Sequence, residues 1–396
     1  MNSLPKVAIL GGPDVDARIE LMDLLKTDFQ VSAIGSEPLL QEKFSKAGFA
    51  YNLYHLDRRV NPIADFISVI QLVSLFWQLK PQVVHAFDKK PDIWGRLAAK
   101  IAGVPVIVGT VTGLGSLYAR DNWKTKLTWT IYQWLQTLIC HSCDLTIFQN
   151  HDDAEEFLAT GVVTQEKAKI ILGSGVSTKV FDPQRVSEKE RSQLRTELGI
   201  QSDEIVVTMI SRVIRSKGVL EFMEAALKLQ TQYPKVRFLL IGDEDKENLD
   251  FLTPTELSKL KQNVTWPGPR RDIPVVLGIS DIFVFPSAYR EGIPRVLLEA
   301  ASMALPLIAT DSPGCNEVVE NDVNGFLIAP GNVAELTQAI ERLIAQPELR
   351  QSFGKISRQR AIERFDIAVI AEQTSSAYRE LLAAKGLYLT SASSLV

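Results

Sequence analysis

Residues 281 to 306 read DIFVFPSAYREGIPRVLLEAASMALP. The apolar run Ile282-Phe283-Val284-Phe285 has the length of a buried strand, the following polar residues that of a loop, and Pro294 opens a helical pattern. Its fixed φ suits a first turn whose N–H would lack an intrahelical partner anyway. Strand, loop and helix in this order are the unit of a parallel α/β sheet. Ligands of such sheets gather outside the carboxyl ends of the strands, where loop groups converge and helix N-termini attract anions. Glu291 falls in that loop and Glu299 on the helix that follows. On the residues alone, the two glutamates are either solvated charges or members of a site.

Upstream, Ile205 to Ile210 reads as a buried parallel strand. Ser211-Arg212-Val213-Ile214-Arg215-Ser216-Lys217-Gly218 follows, then a helix from Val219 to about Gln230. Cations again stand at a strand's carboxyl end. A departing phosphate-type anion gains negative charge as its bond breaks, so fixed cations aimed at it stabilise the transition state more than the ground state. Arg212 and Lys217 suit that task; Arg215 has the charge but no assigned role.

Working outward, strands are expected at Val7 and near Val31, Phe49, Val83, Val106 and Leu145, with helices between, to about Ile171. A second array runs from Ile205 to about Ile344. Each predicts a doubly wound parallel sheet. The polar stretch Ser187 to Ser192 is expected to connect them as a hinge, a helix is expected from Ile367 to about Leu382, and Ser391 to Ser394 form a tail. With 396 residues, 46% apolar and 23% charged, the chain can bury two ordinary cores.

A net charge of -4 argues against a general nucleic-acid binder. Three cysteines imply a reducing compartment, and Met1 to Lys6 passes into the first strand without the pattern of a secretion signal, so a cytoplasmic protein is expected. Cys140-His141-Ser142-Cys143 has redox-type spacing, but with only Cys315 and four histidines in all it reads as buried thiols rather than zinc ligands. Asp243-Glu244-Asp245 formally fits a metal motif, yet it lies between the cation loop and the glutamates. The longest apolar stretch, Phe66 to Trp77, falls short of the roughly 18 residues that cross a bilayer and is expected to be a buried helix. Between Lys89 and Lys126 seven Lys or Arg face only Asp92 and Asp121. The segment from Tyr118 to about Cys140 is therefore expected either to rest on anionic lipid as an amphipathic helix, at the inner face of the plasma membrane, or to pack as a core helix.

The Glu291-x7-Glu299 spacing, with Arg212 and Lys217 ahead of Gly218, resembles the family-four retaining glycosyltransferases. Gly173-Ser174-Gly175-Val176, Trp266-Pro267-Gly268, Thr310 to Gly314 and Asn324-Gly325 resemble further segments of that family in the same order. Val84-His85-Ala86, Trp94 to Ala99 and Thr110 to Gly115 resemble in particular its members of capsule and exopolysaccharide assembly. The resemblance implies the GT-B fold, two doubly wound Rossmann-like domains facing a central cleft. Residues 1–186 would bind the acceptor, 187–366 the nucleotide sugar, and 367–396 would return to the first domain as a helix and tail. The implied activity is retaining transfer of a hexosyl or N-acetylhexosaminyl group from a UDP-linked sugar to a saccharide acceptor, lipid-linked, in cell-surface glycan synthesis.

In the roles the resemblance implies, Arg212 and Lys217 hold the leaving diphosphate, Glu291 lies beside the transferring sugar, and Glu299 accepts from the ribose. Gly292, Ile293, Pro294 and Arg295 complete the donor loop, Gly268 lies near the base, and Gly12, in Gly11-Gly12-Pro13-Asp14, approaches the ligand from the first domain. Cations facing the diphosphate leave no electrostatic requirement for Mg²⁺, so no cofactor or metal is expected. The chain departs from several relatives at Thr112, where they carry a histidine; a hydroxyl can hydrogen-bond a sugar but cannot act as a base at neutral pH. Asp88 is the alternative polar group. Other readings are a soluble transferase acting on a small sugar, a nucleotide-sugar epimerase and a noncatalytic nucleotide-sugar sensor.

Overall fold

The computed structural model describes residues 4–57, 59, 61–114, 123–246, 248 and 250–388, apart from the side chains of residues 123–129. The chain forms two units, residues 1–174 with 367–396 and residues 175–366.

The first unit is built on seven strands: β1 (Lys6–Leu10), β2 (Gln30–Gly35), β3 (Ala50–Leu53), β4 (Val83–Phe87), β5 (Val106–Val111), β6 (Leu145–Phe148) and β7 (Ala168–Ile170). All pair in parallel, in the order β3-β2-β1-β4-β5-β6-β7, so the winding reverses between β1 and β4. Its helices are α1 (Ile19–Leu25), α2 (Leu40–Lys46), α3 (Pro62–Leu79), α4 (Lys89–Ala102), α5 (Trp123–Ser142) and α6 (His151–Ala159). Residues of α3, α4, α5 and α6 share one core with Ala8, Leu10, Val84 and Ala86. Helices α1 and α2 cover the other face.

Helix α3 differs from its expectation. It is longer than Phe66–Trp77, because the Asn61 side chain caps Ala64 N at 3.3 Å, Pro62 enters the first turn, and Lys80 closes the helix in the left-handed region at φ 50. At 18 residues it is long and apolar enough to cross a membrane by length and composition. It is also not a buried helix. Val69, Leu72, Val73 and Phe76 pack inward, while Ile63, Phe66, Ile67, Ile70 and Trp77 face outward. The expected amphipathic segment beginning at Tyr118 lies partly outside the described residues, as do Gly115 and the tail Ser391–Ser394; its helical part is α5.

The second unit opens with α7 (Glu188–Glu197), then β8 (Ile205–Ile210), α8 (Val219–Gln232), β9 (Val236–Ile241), α9 (Pro254–Asn263), β10 (Thr265–Gly268), α10 (Ile273–Gly278) and β11 (Ile282–Phe285). After these come α11 (Arg295–Ser302), β12 (Leu307–Thr310), α12 (Cys315–Val318), β13 (Gly325–Ile328), α13 (Val333–Ala345) and α14 (Pro347–Arg360). The parallel order β10-β9-β8-β11-β12-β13 reverses between β8 and β11. The polar stretch at 187–192 is not a hinge. Ser187 and Glu190 form a reciprocal capping box that starts α7, and Arg195 of that helix donates to Ile279 O at 3.1 Å. The unit boundary falls at Ser174/Gly175 rather than 186/187: Val176 bridges to Asp366, and Phe181 O accepts from Ser302 Oγ at 2.7 Å.

Finally α15 (Ile367–Ala384) joins the first unit, on the α1 face. Its Tyr378 hydroxyl meets His85 Nδ1 at 2.5 Å, with His85 Nε2 2.6 Å from Thr110 Oγ1. Complete burial holds the His85 imidazole neutral, its pKa well below the ordinary value.

Candidate active site

The strand order reverses between β8 and β11, the place where ligands of such sheets collect, and the loops that leave these two strands are laced together. Ala288 N donates to Ser216 O at 3.0 Å. One 3₁₀ turn, Arg215–Lys217, ends at Gly218, whose φ is 80. A Cβ there would lie 2.2 Å from Pro286 O, so glycine is what allows this approach. The approach sets Lys217 beside Glu291, whose Oε1 accepts from the lysine Nζ. Lys217 is buried, its ammonium 5.4 Å from the Phe285 ring centroid and 5.1 Å from that of Tyr289. A carboxylate and two aromatic faces orient the charge in place of bulk water.

Arg212 stands at the start of the same loop and donates from Nη1 to Asp245 Oδ2 at 2.9 Å. Half-exposed, it places a second cation on the β9 side of the switch, and the expected metal-like triplet supplies its counter-ion. Arg215 is committed elsewhere. It grips Glu256 with both guanidinium nitrogens, Nη2 to Oε2 at 2.6 Å. That hydrogen bonding holds the Glu256 carboxyl down to about 2. Since Glu256 also closes the capping box of α9 with Thr253, Arg215 secures a helix start.

The residues expected to form the donor loop are contiguous around the start of α11. Pro294, at φ -63, is the N-cap rather than the first helical residue. Ile293 is buried, and Glu299 is buried one turn into the helix, accepting from Arg295 Nε at 3.1 Å. The β12 loop closes over them through Gly314, at φ 83; a Cβ there would sit 1.7 Å from Gly292 O. Gly268 ends β10 and accepts from Gly242 N at 3.2 Å. The Trp266 indole donates to Gly242 O at 2.8 Å, which fixes the neighbouring turn.

Gly12 belongs to the first unit, at that sheet's own reversal. Its N–H donates to Asp88 Oδ2 at 3.0 Å, a bond joining the loops that follow β1 and β4. Asp88 holds φ 68 and ψ 164, a backbone region glycine normally occupies and one that costs a side-chain residue roughly 1–3 kcal/mol. Next to it the half-buried Lys89 donates to Leu114 O at 3.2 Å. Desolvation lowers its ammonium to about 8, partly countered by Asp153. Thr112 follows β5 on the same side of the sheet. The sequence ranks Asp88 as a secondary choice and passes over Lys89, because neither a positive φ nor the desolvation of one lysine among several is written in composition.

A cavity of about 550 Å³ lined by Arg191, Arg195 and Asp281 lies at the amino ends of the second sheet's strands, the end opposite the Lys217–Glu291 pair. All three cysteines are buried and unbridged. Burial pushes the Cys315 thiol up to about 12, so it is inert as a nucleophile.

Two family models match in chain order: a glycosyl transferase 4-like model over residues 13–150, and the model of glycosyl transferases group 1 over residues 190–360. The chain is 29% identical over 333 residues to the UDP-Gal:alpha-D-GlcNAc-diphosphoundecaprenol alpha-1,3-galactosyltransferase of Escherichia coli, covering 83% of each chain. It is 30% identical over 321 residues to the putative glycosyltransferase EpsD of Bacillus subtilis, 78% of this chain and 81% of that one. The structure of Anabaena HepE in complex with UDP superposes with a TM-score of 0.78 over 95% of this chain and 100% of that one, at 21% identity. The fold is therefore GT-B, and the chain belongs to the group 1 glycosyltransferases.

Proposed function

We propose that the second unit binds a UDP-linked sugar at its switch point, that the first unit binds a saccharide carried on a lipid diphosphate, and that a hexosyl or N-acetylhexosaminyl group passes between them with retention. The observation that carries this reading is the Lys217–Glu291 pair, held across the β8 and β11 loops by Gly218. A donor diphosphate offers Lys217 a stronger anionic partner than Glu291, and the charge it gains on leaving strengthens that contact in the transition state. Glu291, released from the ammonium, turns to the sugar and offsets positive charge developing at its ring. Arg212 supplies the second cation, Glu299 accepts from the ribose, and Gly292, Ile293, Pro294, Arg295 and Gly268 shape the walls around sugar and base. Fixed cations take the part Mg²⁺ plays elsewhere, so the reading requires no metal.

On the acceptor side Thr112 can orient a hydroxyl but not deprotonate it, which suits a route in which the departing phosphate oxygen takes the proton. The lipid-linked acceptor is supported by the Escherichia coli relative, whose substrate is a diphosphoundecaprenol, and UDP by the ligand of HepE. Transfer on the cytoplasmic side of the membrane that holds the acceptor is part of the same proposal. Incubation with a panel of UDP-sugars and undecaprenyl-diphosphate saccharides should release UDP and lengthen the glycan with its anomeric configuration kept. UDP-sugar binding with no product from any acceptor, or conversion of the sugar without transfer, would overturn the proposal.

A further inference from the structure

We infer that the outer face of the α3–α4–α5 layer is a docking surface for an anionic lipid bilayer, led by the exposed stripe of α3. Ile63, Phe66, Ile67, Ile70 and Trp77 recur at helical spacing and line one side of the helix over about 21 Å. Ile63 is 75%, Phe66 66% and Trp77 60% exposed. Ile101 on α4 and Ile131, Trp134 and Leu138 on α5 extend the apolar surface across helices that pack on the same side of the first sheet. On the opposite layer, α1, α2 and α15 expose only Leu24 within the helices and Leu39 at the α2 N-cap among the described residues, two separate side chains rather than a stripe. An apolar patch this lopsided marks a surface that meets something other than water.

Charge selects the occupant. The only acid in α3, Asp65, is buried and paired with Lys90 at 2.7 Å; the only acid in α4, Asp92, is buried against Arg96 at 2.5 Å. Helix α5 contains no Asp or Glu at all. In a chain with 47 acids against 43 basic residues, three consecutive helices thus expose no carboxylate. Exposed cations stand at the rim instead: Arg59 ahead of α3, Lys80 at its C-cap and Lys100 on α4. Apolar side chains that enter the acyl boundary, ringed by cations that meet lipid phosphates, are the two components of binding at an anionic interface. The helix lies on the bilayer rather than crossing it, since Leu72, Val73 and Phe76 are already packed in the core.

The inference rests on the lipid-linked acceptor proposed above, and the test separates the two. Flotation with vesicles of phosphatidylglycerol and phosphatidylethanolamine should carry the wild-type chain, and pure phosphatidylcholine vesicles should carry much less. Replacing Phe66, Ile70 and Trp77 together by Ser should weaken flotation about ten-fold or more, and Lys80→Glu with Lys100→Glu should abolish the preference for anionic lipid. Both variants should keep the wild-type melting temperature and full transfer to a short-chain, water-soluble acceptor. Wild-type protein that ignores anionic vesicles, or a triple variant that floats normally, overturns the docking surface while leaving the transferase untouched. Self-association in the absence of vesicles, abolished by the same triple variant, overturns it in favour of a second copy of the chain. Normal flotation without transfer to any acceptor would instead defeat the proposed function and leave the docking surface standing.

Discussion

At the switch point of the second sheet a lysine and a glutamate meet through their side chains; at that of the first, an aspartate in a glycine-type backbone conformation takes a backbone N–H. The topological device is the same, a reversal of strand order, but its equipment differs. The second site is made of residue types, opposite charges at the ends of two strands. The first is made of conformation, a strained Asp88 beside a desolvated Lys89. In the proposed function the second site meets a leaving diphosphate, whose growing charge calls for fixed cations, whereas an acceptor hydroxyl needs chiefly hydrogen bonds of particular direction.

The sharpest way to break the contrast is to remove the charges of the second site. Lys217→Ala and Glu291→Ala should each lower kcat about 10²- to 10³-fold, the usual cost of deleting one preorganised electrostatic group. Thermal unfolding should stay close to wild type. Because the two groups act on one another, the double variant should lose far less than the product of the single losses. Steady-state kinetics of the four proteins tests this, and strictly multiplicative losses would show that the ion pair has no part in the reaction.

The difference also explains what could be read from the chain alone. Strand runs such as Val83–Phe87 and Ile205–Ile210 are continuous and apolar because parallel strands are covered on both faces, so both sheets were legible. The places of Arg212, Lys217 and Glu291 beyond strand ends, and of Glu299 on the next helix, were legible with them, whereas their roles remain part of the proposal. That Arg215 turns away to Glu256 was not, because the three cations of one loop differ only in where the turn points them. Ser187 and Glu190 spell a capping box, a signal present in the sequence and missed beneath its polarity. The outer face of α3 was missed for a related reason: an almost wholly apolar run conceals which of its sides is covered.

On the first site, partial burial of Lys89 predicts a pH signature. Its ammonium is lowered to about 8 by desolvation, against an ordinary 10.5 in the unfolded chain. Below pH 8 the lysine is charged in both states and its desolvation cost is fully present. From pH 8 to 10.5 the folded chain has released the proton while the unfolded chain retains it, so stability rises with pH; above 10.5 the gain is complete. The stability gap between wild type and Lys89→Met should therefore shift in favour of wild type across that window, by up to about 3 kcal/mol. Denaturant unfolding at pH 7, 9 and 10.5 measures it, and a gap independent of pH would mean that the lysine is hydrated.

Asp88 allows the two sites to be separated kinetically. Asp88→Gly relieves a backbone conformation costing roughly 1–3 kcal/mol and deletes the carboxylate on Gly12. Folded stability should hold or rise, while KM for the acceptor increases about ten-fold, equivalent to about 1.4 kcal/mol, and KM for the nucleotide sugar is unchanged. A rise in donor KM alone would reverse the assignment of the two units.

The smallest effect belongs to Arg215, which shares a loop with Lys217 yet serves a helix. Arg215→Ala leaves Glu256 with the Thr253 contacts of the α9 capping box and should cost about 1 kcal/mol of stability, typical of a partly exposed charged hydrogen bond. The Glu256 carboxyl is lowered to about 2 from an ordinary 4.5, so the contribution is whole above pH 4.5 and disappears as pH falls through 2. The variant should keep kcat and both KM values, and its stability deficit should close on acidification. A fall in kcat comparable to that of Lys217→Ala would instead make Arg215 part of the diphosphate site, and the line between charge that reacts and charge that builds would have to be drawn elsewhere in the loop.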